Sequence, residues 1–105
     1  MDPQARYEEI ADDLAARNAD VSLGQMMGMP CIKAGSKMIG GFWHDAMVFK
    51  LPEEEVREQT LALEGARLFD PSEKRRPFRE WVEVPAAHSD EWPRLAEAAL
   101  TLHAG

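Results

Sequence analysis

Apolar and polar positions alternate along this chain with two different periods. From Arg6 to Arg17, Tyr7, Ile10, Ala11, Leu14 and Ala15 recur at helical spacing, with Glu8, Glu9, Asp12 and Asp13 on the opposite side. That stripe predicts an amphipathic helix, ended by Asn18-Ala19-Asp20. The period then shortens. Val21 to Met26 predicts a short strand, Gly28 and Pro30 interrupt it, and Cys31 to Ala34 predicts a second. Gly35-Ser36 is a two-residue hairpin signal, because glycine at the first central position suits a type II′ turn. Lys37 to Trp43 predicts a third strand, with Met38 and Phe42 on one face and Ile39 and Trp43 on the other. Gly40-Gly41 within it predicts a bulge or the close approach of another element, such as a helix.

His44-Asp45 predicts another tight turn. Ala46 to Leu51 follows as a fourth strand, with Met47, Phe49 and Leu51 alternating against Ala46, Val48 and Lys50. Pro52 opens a second helix, with Glu53, Glu54 and Glu55 in its dipole-favoured first turn. Val56, Thr60 and Leu63 form its inward face and Gly65 its stop. Ala66 to Phe69 reads as one more short strand, 70–77 as a turn-rich basic loop, and Trp81 to Val84 as a strand ending at Pro85. Ser89 or Asp90 caps a third helix, whose apolar face is Trp92, Leu95, Ala96, Ala99 and Leu102. The expected fold is therefore α+β. A mainly antiparallel meander of about five strands is flanked by an N-terminal, a middle and a C-terminal helix.

At 105 residues the chain is expected to form one domain spanning 1–105. Its single cysteine, Cys31, leaves no internal disulfide or cysteine-based zinc set, which fits a reducing, cytoplasmic setting. The N-terminus lacks a basic start followed by an apolar stretch, so no signal peptide is expected. No apolar run approaches the ~20 residues of a membrane span, so no membrane association is expected either. The net charge of −7 disfavours nucleic acid as a direct partner. That charge is uneven, however. Arg67, Lys74, Arg75, Arg76 and Arg79 face only Asp70 and Glu73 between positions 67 and 79, so this segment is +3 in a remainder of −10.

Four stretches carry a family resemblance. They are Gln25-Met26-Met27-Gly28-Met29-Pro30, Gly35-Ser36-Lys37-Met38-Ile39-Gly40-Gly41, Met47-Val48-Phe49-Lys50-Leu51, and Arg76-Pro77-Phe78-Arg79-Glu80-Trp81-Val82-Glu83-Val84-Pro85. Together they resemble the TfoX (Sxy) N-terminal domain family, over about Arg6 to Leu102. The resemblance implies an antiparallel sheet flanked by helices. It also implies a regulatory role exerted through partner proteins, since the larger relatives regulate natural competence. Those relatives carry a C-terminal domain for which these residues leave no room, so a single-domain member is expected. The family brings no catalytic residues to transfer.

The candidate sites divide by chemistry. Lys74, Arg75, Arg76 and Arg79 could grip a carboxylate, a phosphate or an acidic partner, or form a solvated loop balancing the acidic remainder. Met26, Met27 and Met29 could fill the core edge, line an adaptable apolar binding surface at Met27 and Met29, or hold Cu(I). Cys31 with His44 as base would make a thiol nucleophile, against the plainer reading of a packed small hydrophobe. His44, Asp45, His88, Asp90 and His103 lack the i, i+4 spacing of helical zinc ligands. Phe78 and Trp81 read as strand residues, leaving no exposed aromatics to stack on bases. The expected function is a non-catalytic protein-interaction or regulatory module, with no cofactor. Binding of a small anion or acidic peptide at the basic loop is the alternative, and a cysteine-dependent enzyme the third reading. An unpaired sheet edge makes a homodimer a further possibility.

Overall fold

The computed structural model describes residues 2–72 and 77–104. The first helix, α1 (Pro3–Arg17), starts three residues before the expected Arg6. Asp2 caps it, its side chain accepting from the Ala5 N–H at 3.1 Å, and Pro3 occupies the first turn, where a missing N–H is harmless. Tyr7, Ile10, Ala11 and Leu14 are buried.

Four strands follow in a meander: β1 (Val21–Met26), β2 (Met29–Ala34), β3 (Lys37–Trp43) and β4 (Ala46–Lys50). Helix α2 (Glu54–Leu61), a two-residue strand β5 (Arg67–Leu68) and β6 (Trp81–Pro85) come next. A 3₁₀ turn at Ala86–His88 leads to α3 (Trp92–Ala104). The sheet order is β1-β2-β3-β4-β6-β5, and every neighbouring pair is antiparallel. The α+β expectation holds, with six strands where about five were expected.

Three local expectations change. The break expected at Gly28 and Pro30 is a hairpin. Met27 and Gly28 both have positive φ, 54° and 75°, as a type I′ turn requires, and β2 starts at Met29. Pro30 fits inside β2 because Met26–Met29 is the closing pair, so at Gln25–Pro30 the backbone groups of Pro30 point away from β1. Pairing of β2 with β3 begins only at Cys31.

The second change concerns the faces of β3. The register against β2 slips between Ile32 and Lys33, so that Ile39 is an extra residue. The bulge flips the alternation: Ile39 and Phe42 pack toward one face, Met38 and Trp43 toward the other. The close approach expected at Gly40-Gly41 is present at Gly41, where it comes from the neighbouring strand and its methionine. A Cβ on Gly41 would sit 2.5 Å from Met29 Cε and 2.8 Å from the Pro30 carbonyl oxygen.

Third, α3 begins at Trp92, two residues beyond Asp90, because the 3₁₀ turn and a further bend occupy the positions expected to cap it.

All three helices lie against one face of the sheet. There Leu14, Phe49, Leu51, Val82, Trp92 and Leu95 belong to the main core, and Val56 and Leu61 of α2 pack against it. Trp92 is fully buried and its Nε1 donates to the Val84 carbonyl at 3.2 Å. The opposite face carries a separate small cluster: Met29, Cys31, Met38, Val48 and Phe69, with Trp43 and Trp81 partly buried against it. Among the described residues no helix covers that face, and none is long and apolar enough to cross a membrane.

Candidate functional site

On the helix-free face, Phe69 sits at the centre of an aromatic cluster. Its ring lies 5.7 Å from Trp43, 5.8 Å from Phe78 and 6.5 Å from Trp81, the first two edge-on. Backbone hydrogen bonds hold this arrangement: the Phe69 N–H donates to the Trp81 carbonyl and the Phe78 N–H to the Phe69 carbonyl, both at 2.9 Å. Phe78 therefore lies outside β6 and is 39% exposed, in contrast to the strand position expected for it.

The β1–β2 turn reaches the same place. Met26, Met27, Met38, Phe69, Phe78 and Trp81 line an apolar cavity of about 180 Å³. Three of the four exposed large hydrophobic residues described, Met26, Met27 and Phe78, are among these six. A cavity of ~150 Å³ can hold a benzene ring, so this one suits a single large side chain, well below the ~300 Å³ of ordinary ligand pockets. A shallow groove lined by Lys50, Pro77, Phe78, Arg79, Glu80 and Trp81 adjoins it, sharing Phe78 and Trp81.

The expected binding residues are thus sorted by position. Met27 stands at the cavity mouth, 53% exposed. Met29 does not line it: its side chain is 2% exposed and packs in the small cluster beside Gly41. A residue just past the turn alternates onto the sheet face, whereas one within the turn projects outward; Met26 lines the cavity where Met29 was expected. Arg79 lines the adjoining groove, while Lys74, Arg75 and Arg76 lie outside the described residues. The Met turn and the segment leaving the basic loop therefore meet at Phe78. Exposed methionine beside a turn was the signal in the sequence; nothing there marked Phe69 as the floor.

A larger crevice of about 490 Å³ lies between α1 and α3, but its charged groups are already engaged. Arg6 pairs with Glu9 at 2.6 Å, and Arg17 with Asp13 at 2.9 Å and with Glu97. It reads as a helix–helix seam laced by surface ion pairs.

Cys31 is fully buried, and burial pushes its thiol up from the ordinary value, with Lys33 acting in the opposite direction. A protonated, inaccessible thiol lacks what a nucleophile requires. His44 has φ 47° in the β3–β4 turn and stacks on Trp43 at 4.4 Å. Native protein at neutral pH should react with a thiol reagent at least ~10³-fold more slowly than denatured protein, since labelling must await opening of the fold. Rapid stoichiometric labelling of folded protein would return Cys31 to candidacy. Among the described residues no metal-ligating group of three or more His, Cys, Asp or Glu side chains forms.

Burial also raises Tyr7, aided by Cys31 and the carboxylates of Asp12 and Glu8. Both groups favour their protonated forms when folded. Their contribution to stability is complete below the unfolded values, about 8.5 for cysteine and 10 for tyrosine, and is lost as pH rises above each. Urea midpoints should fall from pH 8.5 upward, and Cys31→Ala should remove the first part of that fall. A midpoint that climbs over this range would contradict the assignment.

No family model, curated protein or solved structure matches the chain.

Proposed function

We propose that this protein is a non-catalytic interaction module of the TfoX N-terminal type, and that it binds its partner through the helix-free face of the sheet. The observation that carries the reading is Met27. It adopts a left-handed backbone conformation at a type I′ turn position, where folding favours Asn, Asp or Gly, and it is more than half exposed. A local rule broken at a solvent-facing residue points to use rather than to folding. The broken rule places a flexible thioether beside Phe78 and Trp81, at the mouth of an apolar cavity. The stretches that carry the family resemblance support the same face: the first contains the turn with Met26 and Met27, the last contains Phe78 and Trp81.

The two roles of Met27 separate experimentally. Met27→Asn should stabilise the fold by up to ~1 kcal/mol, raising the thermal midpoint by a few degrees. The same substitution should weaken partner binding at least tenfold. If Met27→Asn lowers the melting temperature, the turn tolerates methionine for structural reasons and the observation loses its force. If it leaves binding to an isolated partner unchanged, the face is wrongly chosen.

A further inference from the structure

The cations among the described residues of this acidic protein fall into two groups. Arg6, Arg17, Arg67 and Arg94 each take part in an ion pair, and Arg57 donates to the Leu51 and Pro52 carbonyls. Among the described residues, the side chains of Lys33, Lys37, Lys50 and Arg79 form no ion pair. Three of these four neighbour residues that line the apolar cavity. Lys33 is the cross-strand partner of Met38, and Lys50 that of Trp81. Met38 and Trp81 both line the cavity, and cross-strand partners hold their Cβ atoms about 5 Å apart on one face. Arg79 lines the adjoining groove with Lys50. Anions stand nearby too: among the described residues, Asp70 follows Phe69 and accepts from the Ser72 hydroxyl at 2.9 Å. Glu80 also lines that groove, and Glu83 is the cross-strand partner of Val48 on this face, where Arg67 pairs with it at 3.3 Å. On a chain of net charge −7, cations without an ion pair stand on both sides of the one-side-chain cavity.

We infer that the cavity receives a single large apolar side chain from an acidic segment of a partner protein, with Asp or Glu on either side of that anchor. The inference rests on the reading of this face as the interaction surface and adds the chemistry of the partner. One flank of carboxylates meets Lys33 and the other meets Lys50 and Arg79. Size favours a peptide anchor, since about 180 Å³ admits one side chain. A second copy of this chain, docked face to face, would set these cations against their counterparts.

The test is selection of a random dodecapeptide library displayed on phage against the folded protein, followed by titration of synthetic copies of the recovered peptides. Recovered peptides should carry one large apolar residue with Asp or Glu within three positions on both sides. Their affinity should fall about tenfold or more in the Lys50→Glu/Arg79→Glu variant, fall severalfold between 0.05 and 0.5 M salt as screening tightens, and vanish in Met27→Asp. Asp is at ease at positive φ, so that last variant keeps the turn, and thermal midpoints no lower than the parent's in both variants verify the fold. Peptides without acidic enrichment, or indifferent to the charge reversals, overturn this inference; if they still depend on Met27, the interaction surface stands. Recovery of no peptide, binding that survives Met27→Asp, or tight binding of a 12-nucleotide single strand in place of peptides overturns both.

Discussion

Trp92→Ala is expected to cost about 3–5 kcal/mol and to lower the thermal midpoint by roughly 20 °C. Trp92 is the largest fully buried side chain and the first residue of α3. It inserts among Leu95, Val84 and the other residues of the main core, so truncation opens a void that the surrounding strands cannot fill. It also ties α3 to β6 through the bond from Nε1 to the Val84 carbonyl. Trp92→Phe is the milder truncation. It keeps a six-membered ring but loses the donor and three heavy atoms of the indole, at about 1–3 kcal/mol. Differential scanning fluorimetry on the two variants checks both figures. A Trp92→Ala protein that melts within 5 °C of the parent would mean that the helical face is not the main core.

Gly41→Ala should destabilise by about 2–3 kcal/mol, a drop near 10–20 °C, although it adds a single methyl group. On Gly41 that methyl would meet Met29 Cε at 2.5 Å, the Pro30 carbonyl oxygen at 2.8 Å and Met38 Cε at 3.0 Å. The thioether ends could swing aside. The carbonyl belongs to β2, whose register with β3 starts one residue later, and moving it means moving the ladder. Met29→Ala should therefore rescue Gly41→Ala only in part, and a double-mutant cycle reads the coupling. Full rescue would place the conflict with the methionine alone. Because Met38 lines the binding cavity, Gly41→Ala should also weaken peptide binding in protein that remains folded.

Turns with the residue chemistry their geometry demands were legible in the sequence. Gly35 has positive φ at the first position of its turn, and His44-Asp45 takes two positive φ values, so the β2–β3 and β3–β4 hairpins are where they were expected. The Met27-Gly28 turn was hidden because methionine is a poor resident of that conformation. With the turn unrecognised, Met26, Met27 and Met29 could not be assigned to cavity, rim and core. The bulge at Ile39 was hinted at by the glycine pair that follows it. Its position could not be read, and a one-residue slip puts Met38 and Phe42 on opposite faces. Phe78 looked like strand because it is an aromatic residue just ahead of the Trp81 strand. Its true place is set by the hydrogen bond from its N–H to the Phe69 carbonyl, which no local pattern encodes. The separation of the sheet into one helix-covered face and one bare face follows from all three helices packing on the same side. Each helix announced an apolar stripe, and none announced which face of the sheet it would cover.

Binding at the bare face, around Met27 and Phe78, is tested most directly by amide and methyl chemical-shift mapping of the folded protein with a recovered peptide. The largest perturbations should fall on the methyl groups of Met26, Met27 and Met38 and the amides of Phe69, Phe78 and Trp81, with the α1–α3 seam unmoved. Perturbations centred on Ile10, Leu14 and Ala96 in that seam, with the methionine methyls silent, would contradict it.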